Sequence, residues 1–390
     1  MIQLKPIAQS FSVAYEYKLY FTEYLFNIQN PQFHTVLEGY KKNEKVKLLF
    51  VIDDGVAKHH PKLVDDIKAY CDHFQNNIAH TANILVTGGE ECKNDYDQVE
   101  KVLRGINDFH IDRHSFVVAI GGGAVIDMVG YAAAVAHRGV KLIRIPTTVL
   151  SQNDSAVGVK NSFNSFGKKN FLGTFAPPYA IINDSHFLTT LEQRDWISGV
   201  AEAIKVALIK DKAFFEYIET NAIKLQERDM ESMQYVIYKC AEMHMHHIAQ
   251  GGDPFESGSS RPLDFGHWAA HKMEQITNYE LRHGEAVAKG IALDVTYTQL
   301  LGLITESDLN RIITVMEQIG FDLAIPVETP SETDNLLKGL QEFQEHLGGD
   351  LCITLINGIG VKHDVNVIDI DKMKKAIVQL NKNCEIKIQK

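Results

Sequence analysis

The sequence predicts an α/β fold followed by a mainly α-helical half, and three observations carry that prediction. Short apolar runs alternate with segments of helical periodicity through the first part of the chain. Each run stops at Gly, Asp or Pro. Beyond about residue 190 the strand signals fade and helical periodicity takes over. Apolar strands alternating with helices imply a parallel sheet covered on both faces.

The first run, VKLLFVI at 46–52, ends at Asp53-Asp54-Gly55, with a helix expected over 57–74. A second strand at 83–87 stops at Gly88-Gly89-Glu90 and precedes a helix over 96–109. A third, at 115–120, stops at Gly121-Gly122-Gly123 and opens a helix over 124–137. A fourth at 141–145 is closed by Pro146, and a short strand is expected at 180–182. Between them, residues 151–178 are rich in Gly, Ser, Asn and Lys. They read as a long loop, a feature that is usually functional when it sits inside a compact chain. Helices are expected at 194–209, 212–227, 231–249, 265–277, 285–301, 306–318 and 331–344, with late strands at 351–355 and near 361. The expected division is 1–187 for the α/β domain and 188–390 for the helical one.

The totals exclude several classes of function. Fifty acidic residues against 39 basic ones give a net charge of −11, which weighs against nucleic acid, where phosphate neutralisation dominates affinity. No run of eighteen apolar residues and no signal-peptide pattern appears, so no membrane span or leader is expected. Five scattered cysteines read as reduced thiols, and the expectation is a soluble cytoplasmic protein.

Chemistry-bearing residues gather in a few places. Asp53-Asp54, Glu90 to Lys93, Gly122-Gly123 with Asp127, and Thr147-Thr148 stand at or just past four strand ends. In a parallel sheet these edges face one crevice, and a glycine turn opening a helix can hold a phosphate. Acidic residues there favour NAD over NADP. Lys160, Lys168, Lys169 and Asn170 in the long loop, with Arg138 upstream, suit a phosphate-bearing small molecule; a solvated basic loop is the alternative. Asp154 either caps a turn or orients a substrate hydroxyl.

Glu202 and Lys205 are three apart in an apolar helix, as a buried pair or a metal ligand with its neighbour. His267 and His271 share one helical face, and His283 follows in a turn. Two imidazoles and a carboxylate would leave a metal open positions for substrate; surface histidines are the alternative. His244, His246 and His247 crowd another helix without a carboxylate to complete a metal set. The polar stretch 251–261 leads into the histidine segment and offers Glu256 and Arg261.

Five segments in this order resemble the 3-dehydroquinate synthase, or sugar phosphate cyclase, family. They are GGGAVIDMVGYAAAVAHRG at 121–139, PTTVLSQNDSAVGVKNSFNSFGKKN at 146–170, GVAEAIK at 199–205, DFGHWAAH at 264–271 and RHGEAVAKGIAL at 282–293. The resemblance covers roughly 45–360, and the run leading into 264–271 looks like a divergent, EboD-type branch. It implies an NAD-binding α/β domain, a helical metal domain, a cleft between them and a homodimer. It implies zinc or cobalt on Glu202, His267 and His283. NAD positions would be Asp53, Asp54, Glu90, Lys93, Gly122, Gly123, Asp127, Thr147, Thr148, Lys169 and Thr190. Substrate positions would be Arg138, Asp154, Lys160, Asn170 and Lys205, with Glu256 and His271 as acid and base; Lys160 and Lys205 join these two in the catalytic set.

The chain departs from the dehydroquinate synthase pattern where that family meets a substrate carboxylate. Asp264 replaces an asparagine, His246 falls on a lysine position, no lysine occurs in 342–345, and Arg261 aligns only after a one-residue shift. The resemblance therefore implies a phosphate lyase acting on a seven-carbon ketose phosphate without a carboxylate, like sedoheptulose 7-phosphate, and yielding a cyclitol. Dehydroquinate synthesis from 3-deoxy-arabino-heptulosonate 7-phosphate is one alternative, and an NAD-dependent polyol dehydrogenase of the related iron-type family is another.

Overall fold

The computed structural model describes residues 6–42, 44–251, 262–347 and 349–388. Its first part is a six-stranded sheet in the order β1 (Lys18–Thr22), β8 (Ala180–Asp184), β5 (Lys141–Pro146), β4 (Phe116–Gly121), β2 (Val46–Asp53), β3 (Ile78–Val86). Every pairing in it is parallel. β2 and β4 are buried almost throughout, as continuous apolar strands covered on both faces must be. One face packs α1 (Gln32–Glu38), α2 (Asp54–His59) and α3 (Leu63–His73) around Phe26, Phe33, Phe50 and Tyr70. The other packs α4 (Tyr96–Asp108) and α5 (Gly123–Val135) around Val51, Val117, Ile126 and Val129.

Chain order reverses between β2 and β4: β3 lies to one side, β5 and β8 to the other. The ends of β2 and β4, at Asp53 and Gly121, therefore flank the topological switch point, where ligands of such sheets bind.

The second part is helical: α6 (Gln193–Ser198), α7 (Val200–Lys210), α8 (Lys212–Thr220), α9 (Ala222–Gln226), α10 (Met230–His246), α11 (His267–Ile276), α12 (His283–Leu300), α13 (Glu306–Ile319), α14 (Pro330–Leu347) and α15 (Ile370–Ile388). Between the last two, β9 (Ile353–Ile356) pairs antiparallel with β10 (Lys362–Val365). α7 and α12 run through the middle of this core, buried over most of their length. None of the described helices is long and apolar enough to cross a membrane.

Several expectations need correction. The helix expected at 57–74 is two helices, because Pro61 lacks the N–H a continuous helix needs. The helix at 194–209 breaks at Gly199, where a Cβ would sit 2.4 Å from the backbone nitrogen of Leu150. The loop at 151–178 contains a hairpin of β6 (Lys160–Ser165) and β7 (Lys168–Phe175). β1 and α15 carry no expectation from the sequence, and the division at 187/188 falls within a 3-10 turn, Ser185–Thr190.

Candidate metal and nucleotide site

α7 presents Glu202 from a wholly buried helix; α11 begins with His267 and α12 with His283. Nε2 of His267 lies 3.5 Å and Nε2 of His283 lies 3.4 Å from Oε1 of Glu202. One ligand atom from each of the three falls within 4.8 Å of the others. His267 Nδ1–H donates to the carbonyl of Phe265 at 3.1 Å, which leaves the Nε2 lone pair facing Glu202. Two imidazole nitrogens and a carboxylate oxygen then converge, and Glu202 Oε1 is a buried oxygen without a hydrogen bond. A metal cation fits such a set.

Lys205, one helical turn beyond, is buried and ion-pairs with Glu202 Oε2. Burial opposes its charge, but Glu202 and Asp154 hold the ammonium protonated, above the ordinary lysine range. Asp154 lies in the turn after β5, where its Oδ1 contacts Nδ1 of His244 at 2.8 Å. Asp264 lies in a 3-10 turn before α11, and its Oδ2 is buried with no hydrogen bond. Glu202, Asp154 and Asp264 all act on the Lys205 charge.

Glu274, which the sequence reading passed over, is 3% exposed on α11. Its Oε2 contacts Nδ1 of His271 at 3.2 Å and Nδ1 of His283 at 3.5 Å, and its Oε1 accepts from Lys169 Nζ at 3.1 Å. Burial works to raise its pKa, but these partners hold the carboxyl well below the usual range. The signal was available: 267, 271 and 274 share one face of a helix. His271 is half exposed to the cleft (53% for its side chain), with Nδ1 turned to Glu274.

The nucleotide candidates gather at the sheet's carboxyl edge. α5 starts at Gly123 with no side-chain cap on its first N–H groups. A Cβ on Gly123 would strike Ser155 Oγ at 2.4 Å, so the helix start is tucked against the turn after β5. Thr147 Oγ1 and Ser155 Oγ are buried there without hydrogen bonds, a set of donors that fits a phosphate. Thr148 pairs instead with Ser151, Oγ1 to Oγ at 2.8 Å. Asp53 caps α2 through the N–H of Gly55 at 2.8 Å, and Asp54 accepts from Gly88 N at 3.0 Å, so both carboxylates brace the loops at the switch point.

Lys93, 3% exposed, donates to Asp127 Oδ2 at 2.9 Å, Ser162 Oγ at 2.9 Å and Asn170 Oδ1 at 2.5 Å. Glu90 accepts from Asn164 at 3.2 Å. These bonds pin the hairpin to α5, and the buried Arg144 of β5 holds its approach through the carbonyls of Ala156, Gly158 and Lys160. Lys160 is exposed at the first position of β6. Thr190 lies apart, bonded to His60 Nε2 at 2.9 Å beside a cavity of about 630 Å³ that also takes in Tyr24, His186 and Phe187.

Two expected substrate residues are not brought to the metal, and the expected nucleotide residue Thr190 lies beside another cavity. His246 is exposed on the other side of α10, beside Lys210, Lys239 and Lys362 in a separate cavity of about 740 Å³. The residue of α10 that meets the cleft is His244. Two residues along a helix is a rotation of about 200°, so the neighbouring histidines cannot share a face. Arg138 is exposed three residues before β5 starts, at the sheet edge opposite the strand ends that carry the site. Thr190 belongs to the His60 cavity. Glu256 and Arg261 lie outside the described residues.

Comparison with known proteins bears directly on this geometry. Residues 83–198 match the model of the 3-dehydroquinate synthase N-terminal domain and residues 199–343 that of the C-terminal domain. The chain belongs to the 3-dehydroquinate synthase family. The 3-dehydroquinate synthase of Shewanella sp. (strain MR-4) is 33% identical over 317 residues, 81% of this chain and 85% of that protein. The 2-epi-5-epi-valiolone synthase of Streptomyces hygroscopicus subsp. jinggangensis 5008, solved with NAD+ and Zn2+ bound, is 28% identical with a TM-score of 0.85. That match covers 97% of this chain and 99% of the other. A 2-deoxy-scyllo-inosose synthase, solved with carbaglucose-6-phosphate, NAD+ and Co2+, shares the fold at 23% identity and a TM-score of 0.77, covering 93% and 96% of the two chains. The family's two halves meet between residues 198 and 199, at the Gly199 break that sets α7 and Glu202 against the turn after β5.

Proposed function

We propose that the chain is a sugar phosphate cyclase that binds NAD and zinc (or cobalt) and converts a seven-carbon ketose phosphate without a carboxylate, of the sedoheptulose 7-phosphate kind, into a cyclitol. The observation that carries the reading is the convergence of Glu202 Oε1 with the Nε2 atoms of His267 and His283. These three would hold the metal and leave positions open to substrate hydroxyls. The uncapped start of α5 with Thr147 and Ser155 would hold the nucleotide phosphates. Once bound, NAD supplies a reversible hydride acceptor and the metal acidifies a ring hydroxyl.

The protein's own groups account for the rest. His271, its Nδ1 fixed by Glu274, turns Nε2 to the cleft and can exchange a proton there. Lys205 and Asp154 orient neighbouring hydroxyls. Asp264 and Asp154 support the choice of substrate: both carboxylates act on the Lys205 charge, and Asp264 Oδ2 is buried without a hydrogen bond. A carboxylate brought against them would be repelled, whereas hydroxyls can donate to every one of these oxygens. Arg138 lies on the wrong edge to serve its own chain's site; in a homodimer it would serve the partner's.

The test is phosphate release from sedoheptulose 7-phosphate and 3-deoxy-arabino-heptulosonate 7-phosphate in parallel, with absorbance of NADH followed throughout. Phosphate from the first substrate without net NADH is expected. Turnover of the carboxylated sugar alone would overturn the substrate assignment, and steady NADH formation from a polyol would overturn the cyclase reading. Asp264→Asn should shift preference toward the carboxylated sugar.

A further inference from the structure

We infer that Glu274 is a positioning residue that couples nucleotide binding to metal binding. The inference rests on the NAD and zinc reading above and concerns how the two sites communicate. Its basis is a chain of polar contacts with one step along the backbone of β7. The start of α5 carries Asp127 on its second turn. Asp127 Oδ2 accepts from Lys93 Nζ at 2.9 Å, and Lys93 Nζ donates onward to Asn170 Oδ1 at 2.5 Å. Lys169, the next residue back along β7, reaches out of the α/β half and donates to Glu274 Oε1 at 3.1 Å, with its ammonium 4.7 Å from the ring centre of Tyr279. Glu274 Oε2 then meets Nδ1 of His283, whose Nε2 faces Glu202.

The two oxygens of Glu274 thus serve two different domains. One holds a lysine of the nucleotide hairpin. The other fixes the ring of a metal ligand by accepting at Nδ1, which orients Nε2 and strengthens it as a donor to metal. Glu274 is too buried for water to replace either partner at low cost. Ordering the hairpin around a nucleotide fixes Lys169, Lys169 fixes Glu274, and Glu274 fixes His283. Each ligand therefore spends less ordering free energy when the other is already bound, and linkage makes the effect reciprocal.

The experiment measures zinc affinity by chelator competition with and without saturating NAD+, and NAD+ affinity with and without zinc, by fluorescence or calorimetry. Wild-type protein should show each ligand tightening the other by the same factor, on the order of 5-fold or more. Glu274→Gln keeps the side-chain shape and should bring that factor toward one while weakening zinc alone roughly 10- to 100-fold. Lys169→Met, which touches no metal ligand, should also bring that factor toward one, with a smaller loss of zinc affinity than Glu274→Gln shows. That second variant guards against a folding defect in the first. Absent coupling in the wild type, or coupling that survives both substitutions, overturns the inference. If wild-type protein binds neither ligand, the functional reading falls and takes this one with it; if both bind without coupling, only this one falls.

Discussion

At the scale of single residues, buried charge is the dominant feature of this molecule. Asp294 of α12 is fully buried, accepting from Trp268 Nε1 at 2.9 Å and from Gly266 N at 3.0 Å. Burial pushes its pKa up to about 7, against the pull of those two hydrogen bonds. A folded-state pKa above the unfolded value means the folded chain keeps a proton the unfolded chain has released between about pH 4 and pH 7. Stability contributed by this group is therefore present at low pH, falls through that window by up to about 1.4 kcal/mol per pH unit, and is flat above it. Asp294→Asn removes the titration. The unfolding midpoint of wild type relative to this variant should decline from about pH 4 to about pH 7 and level off above it; parallel curves would show that Asp294 is ionised throughout.

At the scale of elements, the metal ligands depend on how closely α11 and α12 pack. Gly266 has a φ of +78°, and Gly290 of α12 lies so close that a Cβ there would sit 2.0 Å from the Gly266 carbonyl. This contact sets the start of α11, and hence His267, against α12, which carries His283. Gly290→Ala must push the helices apart, costing about 1–3 kcal/mol or more as an overpacking change. The expected result is a lower melting temperature together with weaker zinc binding in chelator competition. A variant that loses stability but keeps full zinc affinity would separate the helix contact from the site.

At the scale of the whole molecule, the site is assembled from both halves of the chain, and one of its expected residues is left over. Arg138 stands before β5, about 20 Å along the strand from the turn that carries Asp154. If the homodimer proposed above delivers it to the neighbouring cleft, two defective chains should repair each other. Arg138→Ala and Glu202→Gln, each inactive alone, should regain part of the phosphate-release activity when mixed and allowed to exchange subunits. The mixed dimer then holds one site with an intact arginine and an intact metal set. No recovery on mixing would mean that the neighbouring chain does not deliver Arg138 to the site.

The sequence by itself determined the layering and most of the chemistry. Strand and helix periodicity gave β2, β4 and β5 to within a residue, because strands buried on both faces must be continuously apolar. Family motifs pointed to Glu202, His267 and His283 as candidate ligands, and the fold brings the three together. What only the tertiary structure decided was direction and partnership. That His244 rather than His246 meets the cleft depends on the rotation of α10 as it packs. That Arg138 lies at the far edge depends on α5 running back along the sheet. That Glu274 joins Lys169 to the metal histidines depends on two segments 105 residues apart meeting across the cleft. Periodicity records which face of an element is buried, but not what it is buried against, and the polar contacts that join the two halves at this site are of the second kind.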